Sequence, residues 1–101
     1  MELQKLNEEE FDSFIQSDEP VIVDFFATWC GSCTALMPVL EKVADENENV
    51  KIAKVDVDEH RDLAIKFGIK SIPALLVFQK GEVKNTSVGF IPKSKVLELL
   101  S

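Results

Sequence analysis

Cys30 and Cys33 are the only two cysteines among 101 residues, and they stand three positions apart in Trp29-Cys30-Gly31-Ser32-Cys33. Two thiols at this spacing can close on one another and exchange electrons with a third sulfur pair. The competing readings are structural. A stapling disulfide across so short a loop would stabilise by only about 2 kcal/mol in the chain-entropy model. Half of a zinc site would need carboxylates or a second chain to complete it, because His60 is the lone histidine. Two inert buried thiols are the third alternative. Position favours redox chemistry: the apolar run Val21-Ile22-Val23-Asp24-Phe25-Phe26-Ala27 comes directly before the pair and a helical pattern directly after it. A C-x-x-C at a strand-to-helix handover reads as an exchange site.

The handover also makes the two sulfurs unequal. A Cys30 just before the helix faces unpaired backbone N–H groups and the positive end of the helix dipole. Both favour thiolate over thiol, so its pKa should fall and its reactivity near neutral pH should rise. Cys33, one turn into the helix, should be more enclosed and stay protonated longer. Cys30 is therefore expected to be the accessible attacking sulfur and Cys33 the resolving one, leaving a Cys30–Cys33 disulfide.

The elements that must hold this pair can be read from periodicity. Asn7 to Ser17 carries Phe11, Phe14 and Ile15 on one face behind an acidic first turn, which predicts a helix capped by Asn7. Val21 to Ala27 is apolar on both alternating faces, as in a central strand covered on both sides. From Cys33 onward, Leu36, Met37, Leu40, Val43 and Ala44 repeat at helical spacing, and Pro38 should kink that helix by removing a hydrogen bond to the Thr34 carbonyl. Val50 to Val57 reads as a second buried strand. Asp58 to Phe67 reads as a short helix with Leu63, Ala64 and Phe67 inward, stopped by Gly68. Ala74–Phe78 and Glu82–Val88 flank Lys80-Gly81, a hairpin signal. Pro92 is placed at the first position of a last helix with Val96, Leu97 and Leu100 inward, and Glu2 to Leu6 could add an edge strand. This order predicts an α/β fold with a mixed sheet between helices.

Composition narrows the function. Residues 1–101 suffice for a single domain with one core, and no repeat or linker divides them. The net charge of −7, with no Lys/Arg cluster, excludes nucleic acid as a partner. No apolar stretch reaches the ~20 residues that span a bilayer, so no membrane partner is expected. Met1-Glu2-Leu3-Gln4-Lys5 lacks the basic and apolar regions of a signal peptide, and a starting Met points to a cytoplasmic product. In a reducing cytosol structural disulfides are rare, which again favours a redox role for the cysteines. The acidic stretch Asp45-Glu46-Asn47-Glu48-Asn49 reads as a soluble helix end, and His60 as a solvated residue at a helix start.

With these residues in view, the chain resembles the thioredoxin family along its full length. The family's active-site run is Trp-Cys-Gly-Pro-Cys after Val-Asp-Phe-(Trp or Phe)-Ala, matched here by Val23 to Cys33. Pro38, Lys54 with Val55-Asp56-Val57-Asp58, Phe67-Gly68-Ile69, Ile72-Pro73, Gly81 and Gly89 follow in the family's order. The resemblance implies the thioredoxin fold: a central mixed sheet of about five strands flanked by four helices. It also implies that no bound cofactor and no metal are needed, because the sulfurs carry both electrons. Recharging would come from a thioredoxin reductase, NADPH- or ferredoxin-dependent. The targets would be disulfide-containing proteins such as ribonucleotide reductase, peroxiredoxins or methionine sulfoxide reductases. A monomer is the default.

The resemblance assigns Asp24 a proton-exchange role with Cys33. Asp24 shares a strand face with Ile22 and Phe26, so burial should raise its pKa enough for that exchange; the alternative is a carboxylate held structurally by Lys54 or water. Ile72-Pro73 matches the family's cis-proline, which faces the disulfide and offers backbone groups to a substrate strand. Trp29, Gly31, Ile72, Gly89 and Phe90 would complete a flat apolar docking patch.

Three positions depart from the family's commonest pattern: Ser32 for Pro, Thr34 for Lys and Ala74 for Thr. Ser32 restores an N–H and a hydroxyl beside the sulfurs, which should stabilise the Cys30 thiolate and make the couple more oxidising. That leaves three readings: a carrier that reduces protein disulfides, a disulfide oxidase or isomerase, and a redox-independent module that clamps another protein. Intact Cys30, Cys33, Asp24 and Pro73 favour the first.

Overall fold

The computed structural model describes residues 2–101. Its elements run β1 (Gln4–Lys5), α1 (Glu8–Phe14), β2 (Val21–Phe26), α2 (Gly31–Glu46), β3 (Lys51–Asp56), α3 (Arg61–Lys66), β4 (Ala74–Gln79), β5 (Glu82–Val88) and α4 (Lys93–Glu98). The strands form one sheet in the order β1-β3-β2-β4-β5. β3 runs parallel to both β1 and β2, whereas β2–β4 and β4–β5 are antiparallel. The mixed five-stranded sheet with four helices expected from the sequence is thus the one observed.

β2 is the centre of this arrangement, and all six of its residues are buried. Its pleat sends alternate side chains to opposite faces. Val21, Val23 and Phe25 join Phe11 and Ile15 of the α1 region, Leu63 of α3 and Phe78 of β4. Ile22 packs instead with Leu36, Leu40 and Val43 of α2 and Val96 of α4. Two helices therefore seal each face of the sheet. On the first face Phe11, Phe25, Phe67 and Phe78 form an aromatic cluster, with Phe11 and Phe78 edge-to-face at 5.6 Å.

Local chemistry fixes the element ends. Asn7 caps α1 reciprocally: its side chain accepts from the Glu10 N–H and the Glu10 carboxylate accepts from the Asn7 N–H, a capping box. The β4–β5 turn puts both Lys80 (φ 52°) and Gly81 (φ 81°) in the left-handed region, which the right-handed twist of a hairpin favours. A Cβ at Gly81 would also lie 2.9 Å from the Gln16 amide. Gly68 follows α3 at φ 65°, as expected of a helix stop.

Several expectations need adjustment. Pro92 is the cap of α4 rather than its first residue, and α4 begins at Lys93. Only Val96 of that helix is fully buried; Leu97 lies exposed. α1 ends at Phe14 rather than reaching Ser17. α3 starts at Arg61, because residues 57–59 form a turn in which Asp56 Oδ1 accepts from the Asp58 N–H at 2.8 Å. α2 runs on through Pro38 to Glu46. The sheet's two free edges differ. β1 is only two residues long, while β5 is polar, exposed along most of its length and carries an irregularity opposite Val77 and Phe78.

Phe11 is fully buried at the junction of α1 with the sheet. Phe11→Ala should cost about 3–5 kcal/mol of stability, read as a lowered midpoint in urea unfolding with little change in slope.

Candidate active site

The site is built where β2 hands the chain to α2. The strand ends at Phe26, and after Ala27 the chain turns through Thr28 and Trp29 so that Cys30 becomes the N-cap of α2. N-caps are usually oxygen acceptors; here a sulfur takes the place. Cys30 Sγ accepts from the Cys33 N–H at 3.2 Å. The first turn of α2 thus aims an otherwise unpaired donor, and the positive end of a 16-residue helix, at this sulfur.

Cys30 and Cys33 are joined as a disulfide with their Cα atoms 5.2 Å apart. They pack with Phe26 and Ala27, and Met37, Val57 and Ile72 close around them. The expected asymmetry is present but narrow: Cys30 is 8% exposed and Cys33 1%. Cys30 is less open than the sequence suggested because Ile72 covers it, with the Ile72 carbonyl oxygen 3.9 Å from Cys30 Sγ. Ser32 lies exposed, its hydroxyl 3.5 Å from Cys30 Sγ. A disulfide sulfur carries no hydrogen, so in this state the hydroxyl is the donor.

Asp24 lies on the Ile22/Phe26 face of β2, the face that α2 covers. It is fully buried, and neither carboxyl oxygen has a hydrogen-bond partner. Burial pushes its pKa up from 3.8 to about 7, against the pull of the Lys54 ammonium. Lys54 stands opposite Asp24 in the β2–β3 register. Its ammonium lies 5.6 Å from the centre of the Phe26 ring and makes no hydrogen bond to the carboxyl. Asp24 is therefore a buried acid, not one arm of a tight ion pair.

Ile72-Pro73 is cis. The Pro73 carbonyl accepts from the Gly89 N–H at 2.8 Å, and the carbonyl oxygen of the preceding Ile72 lies 3.9 Å from Cys30 Sγ. Gly89 sits at φ 91° just beyond β5. Ile72 packs against the sulfur pair; Trp29 and Phe90 are exposed, as are Gly31 and Ser32 at the start of α2, and Gly89 is half-buried.

One anchor was not anticipated. The Trp29 indole Nε1–H donates to Asp58 Oδ2 at 2.8 Å, holding a ring that is 71% exposed. Its only trace in the sequence is Val55-Asp56-Val57-Asp58, and that pattern becomes legible once β3 is known to run parallel beside β2. Phe26 then pairs with Asp56, and the Val57 N–H donates to the Phe26 carbonyl, which brings Asp58 alongside Trp29. Among the described residues, no group of three or more His, Cys, Asp or Glu is placed to hold a metal ion. No helix there is long and apolar enough to cross a membrane.

Comparison with known proteins agrees with this geometry. The thioredoxin family model matches residues 2–101. Thioredoxin of Bacillus subtilis (strain 168) is 49% identical over 86 residues, covering 84% of this chain and 83% of the relative. Thioredoxin of Staphylococcus haemolyticus is 46% identical over 101 residues, covering 99% and 96%. The crystal structure of Malassezia sympodialis thioredoxin superposes with a TM-score of 0.88 at 35% identity, covering 97% of this chain and 87% of that one. The chain belongs to the thioredoxin family and is a thiol–disulfide oxidoreductase, a protein-disulfide reductase whose redox group is its own sulfur pair.

Proposed function

We propose that this chain reduces the disulfides of other proteins, with Cys30 attacking, Cys33 resolving and Asp24 exchanging the proton. The observation that carries the reading is Cys30 Sγ in the N-cap position, accepting the Cys33 N–H. On reduction that contact becomes a charge-assisted bond to a thiolate. The thiolate attacks one sulfur of a target disulfide, forming a Cys30–target bond as the target S–S bond breaks and its other sulfur leaves as a thiolate. Cys33 then gives its proton to Asp24 and attacks Cys30 Sγ. The Cys30–target bond breaks, the second target sulfur departs, and protons restore both target thiols. Two electrons have passed, and Cys30–Cys33 is oxidised.

Asp24 suits its part because burial leaves it near half-protonated at neutral pH, able to take a proton or return one. Lys54 supports it by keeping the carboxyl from rising further. Trp29, Gly31, Ser32, Ile72, Pro73 and Gly89 would hold the target segment, Ile72 offering its backbone beside the attacking sulfur. Recharging falls to a thioredoxin reductase, and the chain works as a monomeric single domain in the cytoplasm, where a reducing poise favours the dithiol.

Cys30→Ser should abolish insulin reduction. Cys33→Ser should instead leave the target covalently joined through Cys30, visible by mass spectrometry; an untrapped target would remove Cys33 from the resolving role. Because the folded pKa of Asp24 lies above its unfolded value, the folded state binds the extra proton between about pH 4 and 7. Stability should therefore fall as pH rises across that window, by up to about 4 kcal/mol. Asp24→Asn should stabilise the protein at pH 8 and much less at pH 4, while slowing disulfide reduction; an unchanged rate would leave Asp24 with no proton to move. Ser32→Pro, which deletes a hydroxyl and an N–H near Cys30, should lower the reduction potential by tens of millivolts, given about 1.4 kcal/mol per 30 mV. A redox titration against glutathione reads this directly.

A further inference from the structure

From the geometry beside the disulfide we infer a specificity subsite on α3 for an extended target segment carrying an aliphatic side chain and a carboxylate close to its half-cystine. The inference rests on the disulfide-reductase reading above and names the kind of target it selects. A groove of about 350 Å³ opens beside Trp29 and Ile72 and continues onto α3. Val57, Ala64 and Ile69 contribute its apolar surface, and Ile65 stands at its side. Ile65 is 76% exposed, more than any other large apolar residue among those described, with Trp29 next. Exposed apolar side chains clustered beside a reactive centre mark a contact surface.

The groove is continuous with the chemistry, since the same Ile72 has its carbonyl oxygen 3.9 Å from Cys30 Sγ. A segment bonded through sulfur to Cys30 would have this groove beside it. The Asp58–Trp29 hydrogen bond fixes one wall before any segment arrives, so less ordering is required on binding.

Charge selects the occupant. Arg61 and Lys70 both line the groove, and neither has an ion-pair or hydrogen-bond partner among the described residues. The one carboxylate in the lining, Asp58, already accepts the Trp29 indole N–H. The lining therefore holds two cations against one carboxylate, a net positive surface beside an apolar trough on a chain of net charge −7. An acidic segment complements it, and a basic one is left with unpaired like charges.

Two synthetic peptides with the same intramolecular disulfide decide the matter, one followed by Leu-Glu and the other by Ser-Lys. The wild-type protein should reduce the acidic-leucine peptide about tenfold faster in kcat/KM, and the ratio should shrink in high salt. The double variant Arg61→Glu/Lys70→Glu should bring the ratio to one or invert it, and Ile65→Ser should lower the rate on the leucine peptide alone. Bis(2-hydroxyethyl) disulfide, too small to reach α3, should be reduced equally by all three proteins. Equal wild-type rates on the two peptides, or a ratio unmoved by charge reversal, overturns the subsite while leaving the exchange chemistry standing. A change confined to turnover by the reductase would assign the groove to the electron donor and equally overturn it. Failure to reduce even the small disulfide would bring down the reductase reading, and the subsite with it.

Discussion

Everything at the site depends on β2 being buried on both faces and paired along both edges. Parallel pairing to β3 and antiparallel pairing to β4 hold its backbone from Val21 to Phe26, and a helix pair covers each face. A strand fixed this firmly leaves no freedom over where it ends. The turn after Phe26 therefore delivers Cys30 to the first turn of α2 at a set distance from the Cys33 N–H. Preorganisation of this kind lets a donor stabilise charge with no reorganisation at the moment of reaction. The reactive sulfur owes its character to the rigidity of a strand in which it takes no part.

The same strand carries the fold's clearest local conflict. Asp24 occupies a position where every neighbour along β2 is apolar, and its oxygens go unbonded. Burying a carboxyl without partners is costly, and a structural carboxylate would have gained from a direct bond to Lys54. Instead the Lys54 ammonium sits over the Phe26 ring, near enough to act through space and too loosely placed to quench the acid. A local conflict of this kind, left unrepaired by an available neighbour, is where a functional group is to be sought, and it is the ground on which proton exchange is proposed for Asp24.

Much of this could be read from the chain itself. The near-continuous apolar run of Val21–Ala27, the helical spacing of Leu36, Leu40 and Val43, and the Lys80-Gly81 turn each reflect short-range physics, and these elements appear where that physics puts them. Boundaries were less legible where side chains bind the backbone. Asp56 draws residues 57–59 into a turn, so α3 begins later than its hydrophobic pattern implies. Pro92 stands as a cap because the chain entering α4 is extended there, at ψ 168°. Burial of Cys30 under Ile72 was beyond sequence reasoning because it depends on a contact between residues 42 positions apart. The partnership of Trp29 with Asp58 was hidden for the same reason, since it exists only once β2 and β3 lie side by side.

The sheet's borders have a consequence of their own. A protein that must seize stretched-out pieces of other chains risks seizing copies of itself through any bare row of backbone donors and acceptors. One border here offers two residues of strand. The other is broken in its regularity and studded with Glu82, Lys84 and Asn85. Neither gives a neighbouring molecule a long flat seam to zip against.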